Sequence, residues 1–586
     1  MTSIESPKEL GTECPTDIGS SGFELKDNQY SDQYIFLSKC CYLMVQAFLR
    51  QNNALFDIFK PQLNGITAFQ QVTVSLWLNG QRCANASGEG STCFEQLSSA
   101  VARACLDTRF RKLIAGDAPH LSTNLWLQTS REDIPAARRE KERTLVDGLH
   151  GIEVQWDDAF GCSDPSAFWF LESKSPAALL ASACKEAGLF EDAWRDNACK
   201  ISTTIGVHLC HTPRNENVVL VGLRREANVP LSAVLIRQWI DESVHYLARS
   251  QIPDGSFTYL YSPLTDSVAQ NRSNTVRNSG CAYAMAHAVG SCSAKLTEIA
   301  LNSAESSIRG ILSRCVIGAN ECLIVPEHEA GSSGKLGSLA LLTAATLAPV
   351  LADRFQPWSE QLINSLLAAQ NSDGMFTCYL ESDQPDGNAI NYFPGEALLA
   401  LTMSSGRGDS CCLKACERAF EPYRDHFRSQ PSTAFVGWQA DVWSRMARLC
   451  KKRHYAEFVF EQLDWILSFQ QKDSSNMHEY GGFRVGGHIN ISTAVYAEAL
   501  IRGANLARSL ANEKLWSIYR DAALAAVNYC ARLRLQPEQA PYFPNPERAI
   551  GGVTGSLSHF EVRADHVQHT LTMAIAALES GIVCNA

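Results

Sequence analysis

The chain has 586 residues, of which 45% are hydrophobic and 19% charged, so it can bury a sizeable core and global disorder is excluded. Its 51 Lys and Arg against 62 Asp and Glu give a net charge of −11, which argues against nucleic acid or an anionic membrane as the partner of the whole chain. At roughly 150 residues per domain, this length predicts about two to four domains.

The N-terminal segment, residues 1–30, is polar and predicts a disordered lead-in, because it lacks the basic start and apolar stretch of a secretion signal. The most apolar stretch, Leu336 to Ala352, is too short and too often interrupted by Gly, Ser and Thr to span a membrane. The 21 cysteines show no regular spacing, which favours reduced, buried thiols over a disulfide framework. We therefore expect a cytoplasmic protein without membrane attachment.

Residues 31–215 mix strand-like and helix-like patterns and predict an α+β domain. In QVTVSLWL, the apolar residues alternate as they do in a strand with one buried face, and Asn79-Gly80 follows as a tight turn. The other predicted elements are two strands, Leu121–Leu127 and Ile152–Trp156, and two amphipathic helices, Phe94–Cys105 and Pro176–Ala187.

Four segments of this region, in the same order, resemble the AMMECR1 domain family: SSAVARACLDTRF (98–110), NLWLQTSREDI (124–134), DGLHGIEV (147–154) and AGLFEDAWR (187–195). The resemblance covers residues from about 70 to 205 and implies an α+β fold. The family's Leu-Arg-Gly-Cys-Ile-Gly signature is altered here to Gly-Gln-Arg-Cys-Ala-Asn (80–85) within a longer run. An activity that depends on that signature is therefore not implied for this chain.

Cys83 is the candidate nucleophile of the first domain. The adjacent Arg82 favours its thiolate, and His150 would serve as a base if it lay nearby. The alternative is a packed turn cysteine and a surface histidine. The run His208–His211 (HLCH) suggests metal ligands, but it has no partner pair elsewhere in the chain.

Two cofactor or nucleic-acid interpretations find little support. Neither a Gly-x-Gly-x-x-Gly nor a Walker sequence follows a predicted strand, so no nucleotide is expected. Acidic residues interrupt the basic stripe that RNA binding by the first domain would require. That stripe consists of Arg131, Arg138, Arg139, Lys141 and Arg143.

From Leu231 onward the pattern is almost entirely helical, and it contains an internal repeat. The loops QIPDGSF (251–257) and QNSDGMF (370–376) share a Gln, an Asp-Gly pair and a Phe, and a degenerate third copy runs from 470 to 483. A glycine at this position permits a positive φ where the chain reverses.

Helices with small residues at their starts recur at intervals that fit two helices and their loops. Six helical hairpins packed side by side close into an (α/α)6 toroid over residues 230–586, which leaves no exposed edge hairpin. Its architecture resembles the α/α-barrel class of sugar epimerases and isomerases, lyases, terpene cyclases and prenyltransferases. The recurring helix starts lie near Gly280, Gly337, Gly395, Trp438, Ser492 and Asp565.

The six inner helices of such a toroid begin at one mouth, so polar residues in their first turns share one funnel. Glu396, in an otherwise apolar helix start, is the candidate base, and His566 the candidate acid, with Tyr392 and Asp565 assisting. The predicted substrate-binding residues are Arg277, Asn278, Tyr283, Lys335, Trp438, Asp441, His488, Asn490 and His569.

Simpler explanations exist for the same residues. Asp565 caps a helix, Glu396 satisfies a helix dipole, and the two histidines are buried and bonded to carbonyls. Asp565, His566 and His569 also form an alternative zinc-ligand set, although no cofactor is expected.

The sequence thus favours a multidomain, cofactor-independent enzyme. Its toroid would perform acid–base chemistry (epimerisation, isomerisation, cyclisation or elimination) on a polar small molecule or modified peptide, assisted by the first domain through substrate binding or Cys83. The alternatives are a non-catalytic peptide- or protein-docking scaffold and a terpenoid cyclase-like enzyme. The expected partners are the substrate and other proteins of its pathway, without nucleic acid or membrane.

Overall fold

The computed structural model describes residues 32–50, 54–110, 121–142, 145, 148–171, 173–212, 217–221, 223–225, 231–269, 274–318, 322–327, 333–473 and 479–583. The predicted lead-in over residues 1–30 lies outside this set, as does Arg143.

The first part of the chain is an α+β domain built on one antiparallel sheet. Its strands lie in the order β2-β1-β3-β6-β4-β5, with β7 paired to the end of β6 and β8 to β7. Its helices are α1 (Asp32–Leu49), α2 (Ala54–Asn64), α3 (Cys93–Leu106) and α4 (Pro176–Glu186). Its strands are β1 (Gln71–Leu78), β2 (Gln81–Gly88), β3 (Ser122–Asp133), β4 (Gly151–Trp156), β5 (Ala159–Ser163), β6 (Lys200–His211), β7 (Asn217–Val221) and β8 (Arg224–Arg225).

Every predicted strand and helix of this domain is present. The alternating Val72, Val74 and Leu76 of β1 pack against α3 and share one core cluster with residues of α1. Asn79 and Gly80 take positive φ values of 49° and 77° in the β1–β2 turn. Because β7 and β8 belong to the same sheet, the α+β region extends to Arg225, past the predicted limit at 215.

The second part is the predicted toroid. Its inner helices contact one another in the cyclic order α6-α8-α10-α12-α14-α17 and back to α6, so the ring is closed. The outer helices are α5 (Ala233–Ser250), α7 (Ala294–Leu312), α9 (Gln356–Ala368), α11 (Ser410–Ser429), α13 (Arg453–Ile466) and α15 (Glu513–Ala531). The inner helices are α6 (Thr275–Ala288), α8 (Leu336–Thr346), α10 (Phe393–Ser405), α12 (Thr433–Cys450), α14 (Ser492–Ser509) and α17 (Ala564–Ser580); α16 (Pro546–Ala549) is a single turn.

The short strands of the second part lie at one end of this ring. All of them lie in the connections from an outer helix to the next inner helix, whereas the return connections are short. The inner helices therefore begin at an end surrounded by long loops, where binding sites commonly lie. These strands are β9 (Leu260–Ser262), β10 (Ser267–Val268), β11 (Val316–Ile317), β12 (Leu323–Ile324), β13 (Gly334–Lys335), β14 (Tyr379–Leu380), β15 (Arg484–Val485), β16 (His488–Ile489), β17 (Thr554–Ser556) and β18 (His559–Arg563).

Each repeated loop fastens the outer helix that precedes it to the outer helix of the next hairpin. In each copy the Gln side-chain amide donates to the loop glycine's carbonyl and to a carbonyl on the outer helix of the following hairpin. For Gln370 these distances are 3.0 Å to Gly374 and 2.9 Å to Ala415. The loop phenylalanine's backbone N–H is bound by a side chain in every copy, for example by the Tyr423 hydroxyl at 2.9 Å from Phe376. The repeat is therefore structural.

Replacing Gly374 by Ala should lower the free energy of unfolding by about 2 kcal/mol, because its φ of +91° is strained for alanine and the new Cβ would lie 2.4 Å from the Arg418 carbonyl oxygen. Urea unfolding followed by circular dichroism measures the change. Gly408→Ala is the matched control, since its φ is +101° but nothing lies within 4 Å of the added Cβ. Equal costs for both variants would show that the contact with α11 contributes nothing.

The two parts share a continuous core. The β1–β2 turn docks on the segment before α16: Gly80 N donates to the Pro541 carbonyl at 2.9 Å, and a Cβ on Gly80 would lie 2.6 Å from Pro544 N. The buried Tyr542 hydroxyl donates to Asn124 at 2.8 Å. The Trp169 ring also contacts Phe560 of β18, with centroids 4.8 Å apart. The α+β domain is thus held against the loop end of the toroid.

Among the residues that the structure describes, no helix combines the length and apolarity that crossing a membrane requires. The cysteines among them are free thiols, and most are buried.

Candidate active site

A cavity of about 1250 Å³ opens at the end of the toroid where the inner helices begin. Its walls are the first turns of those helices, the long loops around them, and Leu149 and Trp169 of the α+β domain. Polar residues predicted from the helix starts do share this space. Those that line it are Arg277, Lys335, Tyr392, Glu396, Trp438, His488, Asn490, Asp565, His566 and His569.

Other predicted site residues lie elsewhere. Asn278 is buried and accepts the backbone N–H of Phe257 at 3.0 Å, so it fixes the first repeated loop. Tyr283 and Asp441 lie deeper in the ring, where Asp441 accepts two hydrogen bonds from Arg445 at 3.0 and 3.1 Å. Cys83 lies on strand β2 of the α+β domain and does not line the cavity. None of these side chains is placed to contact a molecule in the cavity.

Glu396 has the environment of a functional carboxyl. Its side chain lies in the first turn of α10, is 3% exposed, and has no hydrogen-bond partner for Oε2 among the described residues. Burial raises its pKa from 4.5 to about 7, although the charge of Arg277 and a hydrogen bond from Trp438 oppose the rise. A carboxyl group with this pKa can both take up and release a proton near neutral pH.

A glycine on the neighbouring helix makes room for this carboxyl. A Cβ on Gly337, in the first turn of α8, would lie 2.4 Å from Glu396 Oε2 and 2.5 Å from the Phe393 ring. The small-residue start of α8, which helped to identify the helix, therefore also admits the Glu396 side chain.

The carboxyl of Asp565, on α17, has a lowered pKa, whereas that of Glu396 is raised. Arg563 Nε lies 3.0 Å from its Oδ1, and Arg277 Nε lies 3.3 Å from its Oδ2. Although burial acts to raise it, the charge of Arg277, with those of His566 and Arg563, holds the pKa of Asp565 well below its usual range. Asp565 is thus permanently ionised, whereas Glu396 exchanges a proton near neutral pH. Helices α10 and α17 stand on opposite sides of the ring, so the two carboxyls face the cavity from opposite walls.

The two histidines are neutral at physiological pH. Burial lowers the pKa of His566 to about 4 and that of His569 to about 3. His566 Nδ1 accepts the backbone N–H of Arg563 at 3.4 Å. His569 lies 6.0 Å from Trp438, measured between ring centroids. With these pKa values both rings are unprotonated at neutral pH, and the role of His566 as a general acid stays a prediction.

The alternative zinc set is not assembled. Both oxygens of Asp565 are engaged by arginines, and the residues that the structure describes contain no group of three His, Cys, Asp or Glu side chains arranged to hold a metal. His208 and Cys210 lie on β6 with His211 on its opposite face, where His211 Nδ1 lies 2.9 Å from Asn217 Oδ1.

Three residues of the basic stripe make contacts within the first domain. Arg139 is 4% exposed and donates to the carbonyls of Trp194, Asp196 and Cys199. Arg131 pairs with Glu153, and Arg138 pairs with Glu142.

The cavity also contains residues that the sequence did not single out. Tyr379 and Phe393, two aromatic residues near helix starts, are among them. For Trp169 the sequence held no signal, since it lies in the other domain and reaches the cavity only through domain docking.

Comparisons with known proteins add the following. No protein-family model matches the chain, and no curated protein matches it. Among solved structures, D-mannose isomerase is 12% identical over 60% of this chain and 100% of that one, with a TM-score of 0.46. A sugar epimerase from a ruminal bacterium is 13% identical over 60% and 99%, with a TM-score of 0.43. The uncharacterized protein PH0010 from Pyrococcus horikoshii is 18% identical over 33% and 98%, with a TM-score of 0.27.

Proposed function

We propose that this chain is a cofactor-independent enzyme whose toroid performs acid–base chemistry on a polar carbonyl compound, with Glu396 as the group that transfers the proton. The environment of the Glu396 carboxyl supports this proposal most directly. The carboxyl is buried in the cavity wall, its Oε2 has no hydrogen-bond partner among the described residues, and its pKa is raised to about 7. Two carboxyls of one cavity with strongly different pKa values are typical of acid–base sites.

The proposed step is proton abstraction beside a carbonyl. The ionised Glu396 takes the proton of the C–H bond, and the electron pair of that bond moves into the carbonyl group to give an enolate. Arg277, held by Asp565, places its positive charge near the developing oxyanion. Return of the proton to the neighbouring carbon, while the hydroxyl proton of the first carbon passes to the former carbonyl oxygen, gives isomerisation. Return of the proton to the same carbon gives epimerisation when the enolate has first turned its other face toward Glu396.

The other cavity residues support this step without transferring protons. Trp438, Tyr392 and Phe393 supply flat aromatic walls for a ring or chain of carbons. Neutral His566 and His569 are hydrogen-bonding groups in this proposal, and Glu396 acts as both base and acid. The α+β domain contributes to substrate binding through its cavity residues, and Cys83 has no part.

Solvent deuterium exchange tests the proposal. The protein is incubated in D₂O with mannose, glucose, fructose and N-acetylglucosamine, and loss of the proton beside the carbonyl is followed by NMR. We expect exchange with at least one sugar, a rate that rises with pH to a plateau above about pH 7, and a loss of about 10³-fold in Glu396→Gln. Glu298→Gln, at an exposed position on α7, is the control. Exchange that survives in Glu396→Gln, or no exchange with any sugar, would refute the proposal.

A further inference from the structure

Two arginines of the cavity wall keep hydrogen-bond donors that no described residue uses. Arg277 lies in the first turn of α6, and Arg563 ends β18 directly before α17. Their side chains are 33% and 35% exposed. Among the described residues, Nη1 and Nη2 of Arg277 and Nη1 of Arg563 have no acceptor. These N–H groups are therefore available to a molecule in the cavity.

A single carboxylate holds both guanidinium groups. Arg563 donates to Asp565 through Nε at 3.0 Å and through Nη2 at 2.6 Å, and Arg277 Nε lies 3.3 Å from Oδ2 of the same carboxyl. Asp565 is buried, so it fixes the position of both arginines. Two positive charges against one negative charge leave this arginine pair, Arg277 and Arg563 on Asp565, with one positive charge in excess.

Two other cations of the cavity each have a carboxylate of their own. Arg484 pairs with Glu479, and Lys335 lies 3.1 Å from Glu327. A ligand anion would have to compete with these carboxylates, which makes both cations weaker anchors than the arginine pair.

The remaining charged residues of the cavity do not neutralise the arginine pair directly. Arg532 and Glu561 have opposite signs and add no net charge; Arg532 donates to the Tyr480 carbonyl at 2.8 Å, and Glu561 is exposed on β18. Neither Glu561 nor Glu396 forms an ion pair with a described arginine. The local excess of positive charge therefore faces the cavity.

An anionic group matches this wall better than a neutral one. A neutral ligand would cover the guanidinium N–H groups without supplying a counter-charge, whereas a carboxylate or phosphate supplies both the acceptors and the charge. Planar guanidinium groups bind the oxygens of such anions through paired hydrogen bonds.

The arginine pair also lies suitably for the proposed chemistry. Its helices, α6 and α17, are neighbours in the ring, and Glu396 faces the cavity from α10 on the opposite side. A substrate anchored at the arginine pair thus extends across the cavity toward Glu396. Arg277 remains beside the carbonyl oxygen in this arrangement, and Arg563 has a free N–H for a second group of the substrate.

We infer that Arg563, together with Arg277, binds an anionic group, a carboxylate or a phosphate, of the carbonyl compound on which Glu396 acts. This inference rests on the proposed function and adds the substrate class to it: sugar acids or sugar phosphates are preferred over neutral sugars. Arg563 is the specificity-determining residue.

Calorimetry with three compounds of one carbon chain tests the inference on the full protein. Glucitol is neutral, gluconate carries a carboxylate, and glucitol 6-phosphate carries a phosphate. None has an aldehyde or ketone group, so binding is measured without turnover. We expect at least one anion to bind about tenfold or more tightly than glucitol, with an advantage that shrinks as the salt concentration rises. The anion that gains more identifies the group as carboxylate or phosphate.

Three arginine variants assign the preference to the arginine pair. Arg563→Gln leaves one arginine opposite Asp565, so the ratio of the two dissociation constants should fall to about one. Arg277→Gln should do the same from the other side, and it replaces Arg563→Gln if that variant does not fold. Arg484→Gln is the matched control: it also removes a cavity arginine, but one that has its own partner in Glu479, and it should keep the wild-type ratio.

The inference is overturned if none of the three compounds binds, if glucitol binds as tightly as both anions, or if a folded Arg563→Gln or Arg277→Gln protein keeps the wild-type ratio. Glu396→Gln separates the two proposals, since it should abolish proton exchange while preserving the preference for the anion. Anion preference in a protein that exchanges no proton with any carbonyl compound would refute the proposed function alone.

Discussion

Glu396→Gln should stabilise the folded protein by about 3 kcal/mol at pH 8 and by little at pH 5, while it removes the proposed activity. The cause is the raised pKa of this buried carboxyl, about 7 against 4.5 when solvated. Between these pH values the folded protein keeps a proton that the unfolded chain has lost, so stability falls as the pH rises. Above pH 7 the full cost is present, and at about 1.36 kcal/mol per pKa unit it amounts to about 3 kcal/mol. Glutamine cannot ionise and avoids this cost.

Urea unfolding at pH 5 and pH 8 measures the effect without knowledge of the substrate. Glu298→Gln, on the exposed surface of α7, should show the same pH dependence as the wild type. A Glu396→Gln protein that is equally or less stable than the wild type at pH 8 would mean that the carboxyl is solvated or paired, and its assignment as the proton-transfer group would fail. A stabilising substitution that abolishes function is typical of residues retained for chemistry.

The toroid was predictable because its signals are local and repeated. Helix starts such as Gly337 and Gly395 recur at a hairpin's length, and the helices that follow are apolar all round, as buried inner helices must be. The sequence signals for strand β1 and its Asn79-Gly80 turn were equally local. By contrast, β7 and β8 were missed, since β7, which pairs with β6, and β8, which pairs with β7, are short and carry no strong alternation.

The sequence predicted which face of its helix each site residue occupies, but not whether that residue reaches the cavity. Asp441 follows Trp438 by three residues on the same helix face, so both point into the ring. Trp438 nevertheless lines the cavity, whereas Asp441 lies one turn deeper among arginines. Helical periodicity gives the face of a residue, and only the packing of six helices determines where the open space ends. The same limit applies to Cys83 and Trp169, whose distances from the cavity depend on how the two domains dock.

Below the cavity, the lumen is filled by a charged network. Asp441, 5% exposed, accepts from Arg445 and lies 3.6 Å from Arg502 Nε. Arg502 in turn lies 3.4 Å from Glu498, whose other oxygen accepts the Thr572 hydroxyl at 2.8 Å. This network joins the neighbouring inner helices α12, α14 and α17.

Asp441→Asn should therefore destabilise the protein by about 3–5 kcal/mol, because it leaves Arg445 and Arg502 poorly compensated inside the ring. Although burial acts to raise it, the two arginines lower the pKa of Asp441 to about 2. Its stabilising charge is thus complete above about pH 4 and is lost as the pH falls toward 2, so the difference between variant and wild type should shrink over that range. Urea unfolding between pH 2 and pH 7 measures both effects. The triple change Asp441→Leu, Arg445→Met and Arg502→Met removes the charges together and should recover much of the loss. A near-neutral Asp441→Asn with weakened sugar binding would instead return Asp441 to the substrate site.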